Sequence, residues 1–214
     1  MSHATAMRRV TLRRVRDDRD LQFVVDWLSE GSRAAALTSD LRENATVEVV
    51  RAALDAGLDL RLIQLADSEP AGLVTWRVRG NPRAYELAIL IGDPEMWSTG
   101  IGAEAAICAV DYLFLTLDAE RVGVLTGAFN PYTSPSLQRG GFTYEGSLRH
   151  FYYVDGEYYD GLYWSMLRHE HRELIRKSAG TSLAYKPLIA PEDRERAARF
   201  VTALRAGGGA VDRG

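Results

Sequence analysis

Glu86-Leu-Ala-Ile-Leu-Ile-Gly-Asp-Pro-Glu-Met-Trp-Ser-Thr-Gly-Ile-Gly102 decides how this chain is read. It opens as an apolar strand, turns at Gly92-Asp93-Pro94, and runs through a tight Gly-containing loop into an amphipathic helix. A loop at a helix start aims several backbone N–H groups in one direction. Together with the positive end of the helix dipole, they form an anion site suited to a pyrophosphate. Gly100 and Gly102 carry no Cβ and let the backbone approach a ligand closely. The expected cradle is therefore Trp97, Ser98, Thr99, Gly100, Ile101 and Gly102. Glu86 places a carboxylate just upstream on the strand. A phosphate cradle and a strand-borne base on one segment point to group transfer from a nucleotide-linked donor.

A ligand-free strand-to-helix turn would give the same Gly-x-Gly signal, so the loop alone does not settle the matter. Two better-known phosphate loops fit less well. The Gly-Lys-Ser/Thr ending of a P-loop is missing. Ala105 and Glu120 sit near the positions of a dinucleotide fingerprint, but strand candidates precede the loop and no run of βαβ units follows it.

Three blocks in one order resemble the GNAT superfamily of acyl-CoA-dependent N-acetyltransferases. Trp97-Ser98-Thr99-Gly100-Ile101-Gly102 is similar to its Arg/Gln-x-x-Gly-x-Gly/Ala motif, with Trp97 where Arg or Gln is usual. Asn130-Pro131-Tyr132-Thr133, Gly141-Phe142 and Glu145-Gly146 resemble its Asn-x-x-Ser…Gly-Phe…Glu-Gly pattern. Asp155-Gly156-Glu157-Tyr158-Tyr159-Asp160 looks like the Asp-Gly-x-x-x-Asp hairpin of the branch holding the RimJ/RimL-type ribosomal-protein acetyltransferases. The resemblance covers Val10 to Leu167.

The resemblance implies acetyl-CoA as acyl-donor substrate and a primary amine as acceptor: a peptide N-terminus, an amino acid or a small molecule such as an antibiotic. Ile89, Leu90 and Ile91 would end the strand whose open edge pairs with the pantetheine arm, and Asn130 would hydrogen-bond that arm. Acetylation needs a deprotonated amine, a polarised carbonyl and a proton for the departing thiolate. Glu86 matches the family's strand glutamate and is the candidate base or amine-binding group, with a structural carboxylate as the other reading. Thr133 falls where the branch often has Ser, with Ser134 one residue on. Many relatives use a Tyr at the position of Leu137, so the acid here is Thr133, Ser134, Tyr132 or water. Trp97 reads as a packing residue or a donor contact, and Asn130 also as a turn former before Pro131.

The remaining composition narrows the class. A net charge of −3 gives no electrostatic case for nucleic acid. Cys108 is the single cysteine, so no intramolecular disulfide forms, and it reads as a buried structural thiol. His3, His150, His169 and His171 make no metal-ligand set and are expected to be solvated; no metal is implied. No stretch is apolar enough to span a membrane and no signal-peptide core is present, which predicts a cytoplasmic protein without a membrane partner.

Hydrophobic periodicity predicts an α/β chain: a mixed central sheet flanked by helices, in the order of the GNAT acyltransferase fold. Strands are expected at Arg8–Arg14, Leu60–Leu65, Ala71–Val78, Ala84–Ile91, Arg121–Gly127, Thr143–Val154 and Tyr158–Leu167. Helices are expected after Asp17-Asp18, after Thr46, over Ala103–Leu117 and over Pro135–Arg139. Gly31 and Gly57 end the first two, and Ser32–Asn44 reads as irregular. Asp155-Gly156 is a strong hairpin signal. Residues 8–167 form the expected acetyltransferase domain. Residues 168–214 form a C-terminal extension with helices at Arg168–Lys177 and Pro191–Leu204, a frayed tail after Gly207, and enough apolar surface to cover the cleft or form a homodimer. Two other functions share these features: a non-catalytic acyl-CoA-binding regulatory module, and a structural protein that dimerises through the extension.

Overall fold

The computed structural model describes residues 9–29, 32–36, 45–66, 68–178, 185 and 187–205. In chain order they form β1 (Val10–Arg14), α1 (Asp18–Leu28), the single turn α2 (Arg33–Ala36), α3 (Val47–Asp55), β2 (Asp59–Leu65), β3 (Gly72–Val78), β4 (Ala84–Ile91), α4 (Ile101–Leu115), β5 (Arg121–Gly127), α5 (Thr133–Arg139), β6 (Thr143–Val154), β7 (Glu157–Leu167), α6 (Arg168–Ser178) and α7 (Pro191–Arg205). The expectations for His3, Gly31, Gly207, residues 37–44 and most of 183–190 lie outside the described residues.

The strands make one mixed sheet in the order β1-β2-β3-β4-β5-β7-β6. Every neighbouring pair is antiparallel except β4 with β5. That α/β architecture is the one the sequence predicts. The β6–β7 hairpin turns at Asp155 and Gly156, whose φ angles of 51° and 85° suit a two-residue connection of the primed kind.

Side-chain alternation divides the core between the two faces of the sheet. On one face lie α1 and α3, where Leu21, Val24, Leu28 and Val50 pack against Leu60, Leu62, Leu73 and Leu90. Asp17 caps α1 by accepting from the Asp20 N–H at 3.0 Å, and Thr46 caps α3 by accepting from the Val49 N–H at 3.3 Å. On the other face α4 packs Ile101, Ala105, Ala109 and Leu113 against Val10, Ile63, Val74, Trp76, Leu87 and Val122. The alanines recur every fourth residue, so α4 lies close to the sheet, and each fully buried large side chain such as Leu113 contributes about 1.5–3 kcal/mol.

Two buried ion pairs tie elements together. Asp20, 5% exposed, takes a two-pronged contact from Arg13 on β1 at 2.6 and 2.8 Å, and also accepts from the Arg16 N–H. The Arg13 hydrogen bond holds the Asp20 carboxyl below the usual carboxylate range, against the opposing effect of burial. On α6, His171 is 3% exposed, with Nε2 2.9 Å from Asp111 of α4 and its ring stacked on Phe114. The expectation of a solvated His171 is therefore corrected. The charge of α6 is real, but this one position faces α4. Cys108 is half-buried rather than fully buried, with Sγ 3.8 Å from the Val10 carbonyl. α7 presents Phe200, Val201 and Leu204 to solvent.

Candidate active site

The sheet opens where β4 and β5 part. They pair only over Ala84–Glu86 and Arg121–Gly123. β3 stays with β4 as far as Ile91, and β7 stays with β5 as far as Gly127. A wedge is left between Leu87–Ile91 and Val124–Gly127. The Arg79 N–H donates to the Ala84 carbonyl and the Gly92 N–H to the Ala71 carbonyl, both at 2.9 Å. That phase ties Glu86, Ala88 and Leu90 to β3 and turns the backbone groups of Leu87, Ile89 and Ile91 toward the wedge. Ile89 and Ile91 thus lie as expected for strand contacts. Leu90 does not: its backbone serves β3 and its side chain is buried in the core.

At the mouth of the wedge the chain makes a 3₁₀ turn over Pro94–Met96, capped by Asp93. Gly100 then takes a left-handed conformation, φ 85°, which favours glycine, and α4 begins without a side-chain cap. The first-turn N–H groups of Ile101, Gly102 and Ala103 point out of the helix start unclaimed by a capping side chain. A Cβ on Gly102 would stand 3.4 Å from the Ile91 side chain, an ordinary contact, so packing does not demand glycine there. The Thr99 hydroxyl donates to the Met96 carbonyl at 2.7 Å. The Trp97 indole donates to the Ile91 carbonyl at 3.0 Å, and its ring meets Tyr132 edge-on. Trp97 is a post that joins β4, the loop and the segment before α5. Arg9 closes the loop from outside. Its backbone and side chain bond Glu104 in the first turn of α4, and Nη2 donates to the Thr99 carbonyl at 3.1 Å. Arg9 was not foreseen, because its partners lie far along the chain.

Across the wedge, Asn130 is buried and its Oδ1 accepts from the N–H groups of Tyr132 and Thr133 at 3.0 and 3.1 Å. The turn-forming role is thus realised, and the side-chain amide N–H₂ is the part left to donate to a ligand. Thr133 is the first residue of α5. The Ser134 hydroxyl is buried and has no hydrogen-bond partner among the described residues. Leu137, where relatives carry Tyr, is part of the core.

Glu86 stands at the fork, on the face carrying α1 and α3. Arg77 and Arg79 both reach its Oε1, at 2.9 and 3.4 Å. Its register partner on β5 is Gly123, and the Tyr163 hydroxyl fills the space of the missing side chain, 2.2 Å from where a Cβ would sit. The Arg121 guanidinium lies over the Tyr163 ring and pairs with Glu145 at 3.1 Å. The Ser165 hydroxyl and then Arg121 hold the Glu145 carboxyl below the usual range. Arg77, Arg79 and Tyr163 are the neighbours that sequence reading missed. Only the strand register brings them to Glu86. Of the hairpin aromatics, Tyr152 is buried against Phe129, while Phe151 and Tyr153 are exposed. Among the described residues no cluster of His, Cys, Asp and Glu suits a metal, and no helix is long and apolar enough to cross a membrane.

The family model for the acetyltransferase (GNAT) domain matches residues 9–143. The chain belongs to the GNAT acetyltransferase family. Among curated proteins, this GNAT chain is 28% identical over 112 residues to the spermidine N(1)-acetyltransferase of Escherichia coli strain K12, covering 52% of the chain and 60% of that relative. It is 32% identical over 75 residues to the uncharacterized N-acetyltransferase YoaA of Bacillus subtilis strain 168, covering 35% of the chain and 42% of the relative. The match thus spans about 60% of the length of the first of these relatives. Among solved structures, the spermidine N-acetyltransferase from Vibrio cholerae in complex with CoA and spermine superimposes with a TM-score of 0.67 at 20% identity, over 77% of this chain and 98% of that one. At that identity the likeness carries the fold, and the GNAT fold expected from the sequence is the fold observed.

Proposed function

We propose that this GNAT chain transfers the acetyl group of acetyl-CoA to a primary amine by direct attack on the thioester. The observation that carries the reading is the wedge between β4 and β5. It runs from the uncapped start of α4 to the Glu86 carboxylate at the fork. The pyrophosphate would sit on the first-turn N–H groups of α4, with Gly100 setting their direction. The pantetheine arm would lie along β4, completing the backbone groups of Ile89 and Ile91 and meeting the Asn130 amide from the other side.

Glu86 is assigned the proton removal from the incoming ammonium, directly or through a water, with Arg77 and Arg79 fixing its orientation. The amine nitrogen attacks the thioester carbon, and the carbonyl oxygen takes negative charge that a wedge-facing N–H of β4 would stabilise. Collapse of that intermediate breaks the C–S bond. The buried Ser134 hydroxyl, with Thr133 next to it, is the assigned proton source for the thiolate. The block order and the Asp155-Gly156 hairpin favour the RimJ/RimL-like branch, and we place the protein in the cytoplasm.

Leu137 in place of a tyrosine acid favours one second reading, a module that binds acyl-CoA without turning it over. Thiol release from acetyl-CoA over a panel of amines, with mass spectrometry of the products, separates the two. Acetylated product supports transfer, and tight acetyl-CoA binding without release on any amine supports the module.

A further inference from the structure

A cleft of about 590 Å³ opens beside the fork, on the Glu86 face of the sheet. Its volume suits a small molecule. Leu28 at the end of α1, Leu58 after α3, and Leu60, Leu73 and Leu90 of the sheet form apolar walls. Arg77 is the one charged residue of the lining among the described residues, and no carboxylate lines it. The carboxylate to which Arg77 leads is Glu86, which already faces two guanidinium groups. The Arg77–Glu86–Arg79 triad therefore carries a net positive charge.

We propose, resting on the acetyl-transfer reading above, that the acceptor is a primary amine on an apolar body with no second cation, and that polyamines are poor acceptors. The apolar body fills the cleft and leaves water there. The net positive triad and the apolar walls favour the neutral, nucleophilic form of the amine over its ammonium. A polyamine brings further ammonium groups into the same space. They would lose water, find no carboxylate in the lining, and face Arg77. The specificity lies in what the walls withhold.

The test compares 2-phenylethylamine with spermidine on the full chain, in two assays. One is thiol release from acetyl-CoA, and the other is calorimetric binding of each amine to the protein saturated with CoA. The expected kcat/KM ratio favours 2-phenylethylamine on the order of 10²-fold. Thr75→Asp puts a carboxylate on the cleft floor and should shift the ratio toward spermidine by about tenfold. Spermidine equal or better in the wild type overturns the proposal, as does failure of either amine to bind. An unchanged ratio in a Thr75→Asp protein with wild-type Tm does the same. If that variant melts early, the wild-type ratio decides alone. Selective binding of 2-phenylethylamine without thiol release from any amine would sink acetyl transfer and leave the cleft assignment standing. Transfer that prefers spermidine would do the reverse.

Discussion

Gly102→Asp tests the anion site without testing the fold. Position 102 lies in the first turn of α4, where an added Cβ meets the Ile91 side chain at 3.4 and 3.8 Å and displaces no backbone. The new carboxylate also sits at the favourable end of the helix dipole, which adds about 0.3–1 kcal/mol of stability. The variant should therefore melt no lower than the wild type. The same carboxylate lies about 5 Å from where a bound phosphate would sit, and at an effective dielectric of about 20 each pair of charges repels by about 3 kcal/mol. That weakens acetyl-CoA binding by about 10²-fold. Gly102→Ala adds the methyl without the charge, so the step from Ala to Asp isolates the electrostatic part, which should shrink as ionic strength rises. Isothermal titration of both variants with acetyl-CoA is the assay. Wild-type affinity in a folded Gly102→Asp protein would refute the placement of the pyrophosphate.

Three further outcomes are expected. Glu86→Gln should keep acetyl-CoA affinity and lower kcat by ~10²–10⁴-fold, with loss of the acidic limb of the pH profile; normal turnover with the limb intact excludes the base role. Asp20→Asn breaks a buried pair and should cost about 3–5 kcal/mol in urea unfolding. Because the Asp20 carboxyl is held low in the folded protein, its stabilisation is complete above about pH 4 and is lost as pH falls through the depressed value, so the wild-type and Asn curves should converge in acid. Removal of residues after Arg168 should lower Tm, because it strips His171 from Asp111 and Phe114. Removal of residues after Ser178, which deletes α7, should leave Tm and acetyl-CoA affinity unchanged; a fall in light-scattering mass on that second cut would show that α7 holds a dimer.

The strands that define the fold were the most legible part of the chain. β4 and β5 are runs of apolar and β-branched residues whose ends match the sequence reading. α4 was expected from Ala103 but begins at Ile101, because Gly100 starts it by backbone conformation and no Ser, Thr or Asp marks the cap. α5 begins at Thr133 rather than Pro135, because Asn130 organises the turn from outside the helix. The cradle was legible because it is contiguous. The surroundings of Glu86 were not, because the β3–β4 register supplies Arg77 and the β5–β7 register supplies Tyr163. The partners of Arg9 and His171 are likewise distant in sequence, and a charged helix such as α6 gives no local sign that one of its residues is buried.

The close fit of Tyr163 over Gly123 has a consequence for descent. Any side chain at position 123 would meet the phenol, so the two positions cannot drift independently. A lineage can fill position 123 only after position 163 has become shorter. Once it has done so, the phenol cannot return until glycine returns first. Substitution at the fork therefore runs as a ratchet, and the order of two changes on adjacent strands decides which hydroxyl chemistry a descendant keeps beside Glu86.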